Sequence, residues 1–327
     1  MTLLSVEHLR VTFDTEDGPV LAVKDMSFTL GAGEIVALVG ESGCGKSITA
    51  MSIPGLLPTR GVAREGSVRL AGRDLTALSE RELETVRGRE ISVVFQEPTT
   101  SLNPAYTVGA QIAEVVRRHQ KLGRRQAKER AIELLGLVDI PDPRRRWANY
   151  PHQLSGGMRQ RVMIAMALAC DPKVLIADEP TTALDVTIQA GVLRVIRRLC
   201  RTLGTAVVLI THDLGVVAEV ADRVVVMYAG RPVEQASVTS LFAAPQHPYT
   251  IGLMGALPAN APRGRSRRLT EIPGFVPAPT SDPDECQFAA RCPRADTRCR
   301  AARPVLRQRR PDHDAACYHP GQEAADA

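Results

Sequence analysis

A glycine-rich stretch that ends in lysine and serine carries the strongest chemical signal in this sequence of 327 residues. Residues 40–47 read GESGCGKS and match the pattern G-x-x-x-x-G-K-S/T at every fixed position. Glycines let the backbone curl so that its N–H groups point at phosphate oxygens. Lys46 is placed to neutralise the β- and γ-phosphates of a nucleotide, and Ser47 offers a hydroxyl to Mg²⁺. The predicted ATP-binding residues of this stretch are Gly40, Glu41, Ser42, Gly43, Cys44, Gly45, Lys46, Ser47 and Ile48.

Two adjacent carboxylates close an apolar run further along the chain. The run VLIADE (174–179) ends in Asp178 and Glu179, and burying such a pair is costly unless it faces a cation or a reacting water. Asp178 suits the coordination shell of Mg²⁺, and Glu179 suits the polarising of an attacking water. The pair therefore predicts the hydrolytic half of the site, with Glu179 as the base.

Single polar residues follow two other apolar runs. His212 comes directly after VLIT (208–211), where an imidazole could reach the γ-phosphate, although a lone histidine after a strand is more often structural. Gln96 ends the run ISVVFQ (91–96), and its flexible amide can reach both metal and water. The predicted catalytic residues are Glu179, His212 and Gln96, and the predicted Mg²⁺ ligands are Ser47, Gln96 and Asp178.

A second glycine pair opens a predicted helix. In LSGGMRQR (154–161), exposed N–H groups, a serine hydroxyl and the dipole of the helix 158–170 together form an anion site. A helix capped by Ser155 is the plainer interpretation. Because one ATP has one γ-phosphate and the first loop already holds it, a second anion site suggests a nucleotide sandwiched between two chains. The residues assigned to the partner's ATP are Leu154, Ser155, Gly156, Gly157 and Gln160.

These motifs require a scaffold of buried strands that alternate with helices. Short apolar runs predict the strands, and longer stretches with helical periodicity predict the helices between them. The alternation indicates an α/β domain with a largely parallel sheet that is covered on both faces. The predicted strands are 23–30, 35–40, 91–96, 174–178, 206–211 and 223–230, and the predicted helices include 107–136 and 158–170.

Composition limits the class of protein. Charged residues make up 24% and hydrophobic residues 44% of the chain, which is ordinary for a soluble globular protein. The net charge of +5 permits a nucleic acid or an anionic membrane surface as partner without arguing for either. No signal peptide is visible in residues 1–10, and no apolar stretch approaches the roughly 18 residues of a membrane span. We therefore expect a cytosolic protein that would serve a membrane only from its side.

Taken together, the motifs resemble those of ABC-transporter ATPases. They comprise, in the order and spacing of that family, the Walker A loop, the Q-loop Gln96, the LSGG signature, the Walker B strand VLIADE, the D-loop TTALD ending in Asp185 and the switch His212. Phe13 falls where the family stacks an aromatic ring on adenine. The resemblance implies an α/β, P-loop NTPase fold (ABC ATPase) with a mixed-sheet core.

The resemblance also implies a division of the chain. An ABC ATPase domain would span residues 1–255, with an inserted helical subdomain at about 99–157, and a small cysteine-rich extension would span residues 256–327. The stretches QEPTTSLNP and HPYT, together with the EIPGFVP segment, look like those of bacterial dipeptide and oligopeptide importer ATPases. The same subfamily includes nickel and glutathione importers, and the stretches resemble particularly the dipeptide-importer ATPase of the "D" type.

Partners follow from the resemblance. In that family two ATPases, usually non-identical, sit beneath two transmembrane permease subunits, and an external binding protein delivers the substrate. We therefore expect a motor for peptide import at the cytoplasmic face of the bacterial inner membrane, with no nucleic-acid partner. A soluble ABC ATPase acting on nucleic acid or ribosomes is the alternative, although such chains typically carry two cassettes or a long coiled coil. A module that binds ATP without turnover would not need Glu179 and His212.

Four of the seven cysteines fall near the end of the chain, spaced Cys286-x5-Cys292-x6-Cys299-x17-Cys317. A cytosolic setting disfavours disulfides, and neither the close cysteine pairs of structural zinc sites nor ferredoxin spacing is present. Spacing alone therefore indicates a metal site, with free thiols as the alternative. The family resemblance implies a 4Fe–4S cluster. Zinc is the runner-up, with one thiolate replaced by a histidine; the candidates are His313 and His319.

Overall fold

The structure is a computed structural model that describes residues 2–97, 101–182, 184–257, 271–277 and 283–321. The chain divides into two compact units. The first comprises Met1–Leu4, Leu30–Ile35 and Ala77–Ile210, and the second comprises Ser5–Thr29, Val36–Thr76 and Thr211–Ala327. One further stretch that resembles the importer ATPases, ALPAN (256–260), lies outside the described residues from position 258 onward, as do residues 98–100 of QEPTTSLNP.

Strands and helices alternate along much of the chain. The strands are β1 (Thr2–Thr15), β2 (Gly18–Gly31), β3 (Ile35–Val39), β4 (Val62–Leu70), β5 (Arg73–Asp74), β6 (Ile91–Val94), β7 (Val174–Asp178), β8 (Ala206–Thr211), β9 (Arg223–Tyr228), β10 (Arg231–Ser237), β11 (Arg307–Arg310) and β12 (His313–Ala315). The helices are α1 (Lys46–Ser52), α2 (Glu80–Val86), α3 (Val108–Gln120), α4 (Arg124–Leu137), α5 (Pro143–Arg146), α6 (Gly156–Ala167), α7 (Val186–Leu203), α8 (Leu214–Val220), α9 (Val238–Ala243), α10 (Pro248–Gly255) and α11 (Thr297–Ala301). Single 3₁₀ turns lie at Pro151–Gln153 and Ala289–Arg291.

The first unit contains three parallel strands. Val174 of β7 lies opposite Ile91 of β6 on one side and opposite Ala206 of β8 on the other. Every residue of β7 and β8 is buried, as expected for continuous apolar runs in a parallel sheet. Because the strands are parallel, their carboxyl ends meet at one edge of the sheet, which brings together the residues that follow β6 and β7.

Helices α3, α4 and α6 of the first unit pack against one another. In α3 the residues Val108, Ile112 and Val116 are buried and recur every four positions, which gives the helix one apolar face. Thr107 caps this helix by accepting a hydrogen bond from the backbone N–H of Ala110. The polar stretch predicted as helical over 107–136 is thus two helices, separated where Lys121 adopts a left-handed conformation.

The second unit contains the strand that precedes the phosphate loop. β3 pairs in parallel with β9, β10 runs antiparallel to β9, and β12 runs antiparallel to β10 and β11. The strands β2, β1, β4 and β5 form a second sheet in that order. Since β11 and β12 belong to the end of the chain, the cysteine-rich extension is hydrogen-bonded into this unit rather than attached as a separate body.

The extension also contributes to the aromatic core of the second unit. Phe288 is 3% exposed, and its ring centroid lies 5.2 Å from that of Tyr228 and 5.5 Å from that of Tyr249. Tyr228 and Tyr249 in turn lie 4.8 Å apart. The extension holds few large apolar residues, and it is therefore stabilised by packing Phe288 into the core of the second unit.

Several predicted elements end earlier than expected; β3 does so by one residue, β6 and β9 by two, and the helix predicted over 158–170 by three. β6 ends at Val94, so Gln96 lies in the loop beyond the strand. The helix predicted over 158–170 begins at Gly156 and ends at Ala167. Asp171 has a left-handed φ of 51°, and the next residue is a proline. A right-handed helix accommodates neither of them in its interior.

Candidate active site and metal centre

The phosphate loop between β3 and α1 depends on glycine for both shape and space. Gly40 and Gly45 adopt φ values of 153° and 95°. A Cβ atom at Gly40 would lie 2.3 Å from the carbonyl oxygen of Met227, and one at Gly45 would lie 2.5 Å from that of Ala22. Any other residue at these two positions would therefore strain the backbone and collide with it.

Lys46 begins α1 and folds back over the loop. Its Nζ donates hydrogen bonds to the carbonyl oxygens of Gly40 (2.8 Å) and Glu41 (2.9 Å). An anionic phosphate in the loop would be a stronger acceptor for this buried ammonium group than the two carbonyls. Cys44 is fully buried and burial raises the pKa of its thiol, which favours an inert side chain over a reactive one. Ser47 is exposed at the first turn of α1.

The predicted carboxylates lie at the end of β7 in the first unit. Asp178 is buried, and Glu179 has a left-handed φ of 45°, a conformation that costs energy and clusters at functional sites. The backbone N–H of Glu179 donates a hydrogen bond to the carbonyl oxygen of Ile210 at 3.0 Å. Its Oε2 accepts hydrogen bonds from Thr182 Oγ1 (2.7 Å) and Gln96 Nε2 (3.1 Å). The structure thus joins two predicted catalytic residues, Gln96 and Glu179, directly.

Two further predicted residues belong to the second unit. His212 is exposed immediately after β8, and the next residue, Asp213, caps α8 by accepting a hydrogen bond from Gly215. Phe13 lies half-buried in β1, with part of its ring open to solvent. Both side chains are therefore accessible to a ligand.

The signature motif forms the start of α6. Ser155 is the N-cap, and its hydroxyl accepts from the backbone N–H of Met158 at 3.4 Å. A Cβ at Gly157 would lie 2.3 Å from Cγ2 of Ile188, so close packing alone requires glycine there. Gln160 is 2% exposed, and its amide nitrogen has no hydrogen-bond partner among the described residues. The capped-helix interpretation is confirmed, and it is compatible with an anion site at the same N-terminus.

Leu154, predicted to face a partner's nucleotide, and Asp185, predicted as the end of the D-loop, lie at the starts of α6 and α7. Leu154 is buried directly before the cap. Asp185 is exposed and caps α7 by accepting a hydrogen bond from the backbone N–H of Ile188 at 3.0 Å. Asp185 therefore has a structural role in addition to any role toward a partner.

The four cysteines of the extension lie near one another. The backbone N–H of Cys286 donates to the carbonyl of Cys299 over 2.9 Å. The sulfur atoms of Cys292 and Cys317 each accept a hydrogen bond, at 3.4 and 3.3 Å, from the backbone N–H two residues further along. Burial, together with the smaller effect of the neighbouring thiols, raises the pKa of Cys286 and of Cys317 to about 11. A metal would therefore have to displace protons in order to bind.

The arrangement of these thiols can be compared with that of a zinc site. Zinc bound to four thiolates at about 2.3 Å would require sulfur atoms about 3.8 Å apart. Among the residues that the structure describes, no three of the cysteine sulfur atoms lie within 4.8 Å of one another. As they stand, the four sulfur atoms therefore do not form the tetrahedron that a single zinc ion would require.

The two histidines proposed as substitute zinc ligands have different surroundings. His319 is close to Cys299 and Asp296, with ligand atoms within 4.8 Å of one another. His313 is buried, and its Nε2 lies 2.6 Å from Oε1 of Glu234. Of the two, the described structure groups only His319 with a cysteine.

Two residues that the sequence analysis did not assign to the site touch the phosphate loop. Arg291 binds the carboxylate of Glu41 through both terminal nitrogens, at 2.7 and 3.0 Å. The hydroxyl of Tyr249 accepts a hydrogen bond from the backbone N–H of Glu41 at 2.8 Å. Tyr249 belongs to the HPYT stretch that supports the family resemblance. Arg291 lies among many other arginines, and no sequence signal distinguishes it from them.

Comparison with family models places the chain in two parts. Residues 23–182 match the ABC transporter model, and residues 233–299 match the model for the C-terminal region of oligopeptide/dipeptide transporters. Between them the two matches include the phosphate loop, the signature, the two carboxylates and the first three cysteines of the extension.

Curated relatives match the chain over nearly its whole length. A probable peptide ABC transporter ATP-binding protein of Sinorhizobium fredii is 56% identical, covering 97% of this chain and 94% of its own. The dipeptide transport ATP-binding protein DppD of Bacillus subtilis is 49% identical over 99% of this chain and 97% of its own. The oligopeptide transport ATP-binding protein OppD of Salmonella typhimurium is 49% identical over 98% and 95%.

Solved structures support the same fold. A dimeric ATP-binding cassette in a post-hydrolysis state with bound ADP and Pi superposes with a TM-score of 0.65 at 28% identity, covering 72% of this chain and 98% of its own. A component of an ABC transporter complex from Clostridium perfringens gives 0.63 at 28% identity, covering 74% and 91%. Among the helices that the structure describes, none has both the length and the apolar character needed to cross a membrane.

Proposed function

The chain belongs to the ABC transporter ATP-binding proteins of the peptide-transport family, and from that premise we propose that it is the ATP-hydrolysing motor of a dipeptide or oligopeptide importer. The observation that carries the proposal is the hydrogen bond from Gln96 to Glu179 beside the buried Asp178. A module that only bound ATP would have no need of a carboxylate held in this way. Nickel and glutathione import by the same motor are the alternatives, because an ATPase does not itself contact the cargo.

The proposed chemistry is hydrolysis of the bond to the γ-phosphate. Glu179 polarises the attacking water, and its hydrogen bonds to Gln96 and Thr182 fix the direction of the carboxylate. Lys46 and the loop N–H groups bind the phosphates, and His212 contacts the γ-phosphate. Phe13 stacks on the adenine ring.

Magnesium would be held by Ser47, Gln96 and Asp178, whose hydroxyl, amide and carboxylate oxygens suit a hard cation. When bound, the ion neutralises charge on the phosphates.

The motor works as a pair of chains. Ser155, Gly156 and Gly157 present the N-terminus of α6 to the nucleotide of the second ATPase, and Gln160, with its unpaired amide nitrogen, lies on the same helix. The similarity to a dimeric cassette with bound ADP and Pi supports this arrangement. We propose that the partner is a non-identical ATPase, and that the pair binds two transmembrane permease subunits at the cytoplasmic face of the membrane. An external substrate-binding protein would deliver the peptide.

The extension is proposed to hold a 4Fe–4S cluster. The four thiols lie near one another but do not form a zinc tetrahedron, and two of them accept backbone hydrogen bonds, which stabilise thiolate ligands. The ligands would be Cys286, Cys292, Cys299 and Cys317. Zinc is the competing metal, with His319 available beside Cys299.

A pull-down from membranes tests the proposed assembly. The affinity-tagged chain, extracted in mild detergent with ATP and orthovanadate, should retain two integral membrane proteins and a second ATPase. Retention of RNA or DNA, with no membrane protein, would instead support the nucleic-acid alternative and contradict the importer.

A further inference from the structure

Within the second unit, the phosphate loop is held from outside by the C-terminal part of the chain. Both terminal nitrogens of Arg291 donate to the carboxylate of Glu41, and the hydroxyl of Tyr249 accepts from the backbone N–H of the same residue. Arg291 follows Glu41 by 250 positions in the sequence, and Tyr249 follows it by 208. The loop is thus fixed by residues outside its own motif.

Arg291 is itself held rigidly. Its side chain is only 5% exposed, its Nε donates to the carbonyl of Pro273 at 2.8 Å, and a terminal nitrogen donates to that of Ile272 at 3.3 Å. The guanidinium group also lies over the ring of Tyr228, 5.7 Å from its centroid. With these partners the guanidinium cannot turn away from Glu41 without breaking other contacts.

A glycine-rich loop needs such support. Three glycines give the loop wide conformational freedom, and ordering it around phosphates costs entropy. Tyr249 is fully buried, and burial raises the pKa of its hydroxyl, so its oxygen accepts from the Glu41 N–H without adding a negative charge beside the loop. With its backbone N–H and its carboxylate both held, Glu41 fixes the first turn of the loop before the nucleotide arrives.

Charge gives a second reason for the contact. Glu41 is an acid inside a loop that binds a polyanion, and its uncompensated charge would repel the phosphates. The bidentate pairing with Arg291 places a positive charge against that carboxylate. Loss of Arg291 should therefore weaken nucleotide binding only when Glu41 is charged. If the contact served only to attach the extension, the charge on Glu41 would make no difference.

We infer that Arg291 and Tyr249 are positioning residues of the nucleotide site: they hold Glu41, neutralise its carboxylate and so preset the phosphate loop for ATP. The inference rests on the proposed function, because it assumes that the loop binds ATP. It makes the C-terminal extension part of the site on which the motor depends.

Titration of the purified full-length chain with the fluorescent nucleotide mant-ATP and Mg²⁺ tests the inference. Arg291→Gln should raise the Kd about tenfold, since it removes charge-assisted hydrogen bonds and exposes the Glu41 charge. Adding Glu41→Gln to Arg291→Gln should bring the Kd back to within about threefold of wild type, because the repelling charge is gone. Tyr249→Phe, which keeps the ring, should raise the Kd by a smaller factor.

Arg303→Gln is the matched control, because Arg303 is a partly buried arginine of the same extension that donates to the carbonyl of Pro283 at 2.9 Å. Its Kd should equal that of wild type. In the assembled transporter, Arg291→Gln should raise the KM for ATP and leave kcat at saturating ATP unchanged.

Two results would overturn the inference while leaving the proposed function intact. One is an Arg291→Gln chain that melts at a lower temperature but binds mant-ATP as wild type does. The other is a double variant that binds no better than Arg291→Gln alone. In both cases the wild-type chain would still bind mant-ATP, and the phosphate-loop variant Lys46→Ala would not. Failure of the wild-type chain to bind mant-ATP would overturn the proposed function and the inference together.

Discussion

Glu179 shares one carboxylate oxygen between two donors, the amide of Gln96 at 3.1 Å and the hydroxyl of Thr182 at 2.7 Å. The two donors come from different segments, one after β6 and one after β7, and the parallel pairing of these strands makes them neighbours. A carboxylate fixed in this way can orient a water without first paying to order its own side chain.

The first prediction concerns this carboxylate. Glu179→Gln should lower the rate of ATP hydrolysis by about 100-fold or more, because the amide cannot act as a base. Nucleotide affinity should stay within about threefold of wild type, since the phosphate loop is untouched. Steady-state hydrolysis and mant-ATP binding measure the two effects separately. Glu84→Gln, at an exposed position of α2, is the control and should change neither the hydrolysis rate nor the nucleotide affinity. A Glu179→Gln enzyme that hydrolyses ATP at the wild-type rate would show that Glu179 is not the base.

The second prediction concerns the buried carboxylate of Glu234. It accepts hydrogen bonds from the backbone N–H groups of Gln246 (2.6 Å) and His247 (2.8 Å) and pairs with His313 at 2.6 Å. Glu234→Ala would leave all three groups without their partner in a region closed to water, so we expect a loss of about 3–5 kcal/mol in the free energy of unfolding. Urea denaturation followed by circular dichroism measures it. A loss below about 1 kcal/mol, the size expected for an exposed site, would mean that the network contributes little.

The third prediction concerns the pH dependence of stability. His247 is buried and its Nδ1 accepts the backbone N–H of Tyr249; burial lowers its pKa from 6.5 to about 4, against a smaller opposing effect of Glu234. Between these two values the unfolded chain binds a proton that the folded chain does not. The free energy of unfolding should therefore fall as the pH drops from about 6.5 to about 4, by up to about 1.4 kcal/mol per pH unit from this group.

His247→Asn tests the assignment, because the Asn side chain keeps an acceptor for the Tyr249 N–H but does not titrate. Stability of the variant should depend less steeply on pH over that interval in denaturation series from pH 7 to pH 4.5. An unchanged slope would show that other groups are responsible for the acid sensitivity.

The fourth prediction concerns the cysteines. Protein purified without oxygen should be brown and contain about four iron and four sulfide per chain. Cys292→Ser should lose most of both and melt at a lower temperature, because the metal stabilises the extension. Cys170→Ser changes a cysteine of the first unit and should retain the metal. Colourless protein with one zinc and no sulfide would end the iron–sulfur proposal.

Sequence reasoning predicted well wherever chemistry and local backbone conformation coincide. The loop glycines could be identified because phosphate binding requires their positive φ values, and the strand VLIAD was found at its true bounds because all five residues are buried. Gln96 and Glu179 were assigned to one site from motif order, and their hydrogen bond agrees with that assignment.

The rest depends on contacts between distant segments. The strands β1, β4, β5 and β10–β12 were not predicted. β4, β10 and β11 are polar and charged, and β5 and β12 are only two and three residues long. The alternation of β1 is broken at Glu7 and His8, which are both exposed. Arg291 could not be assigned to the site from the sequence, because its role depends on its contact with Glu41, 250 residues earlier. The pairing of His313 with Glu234 was likewise missed, and this contact separates His313 from His319 as a zinc-ligand candidate.

The most direct test of the central claim is uptake of a labelled dipeptide into proteoliposomes. They would contain this chain, its second ATPase and the two membrane subunits, with the binding protein added outside and ATP enclosed inside. The account predicts uptake that requires ATP and binding protein together and that falls to background with Glu179→Gln. Uptake that continues at the wild-type rate with Glu179→Gln, while that variant binds ATP normally, would contradict it.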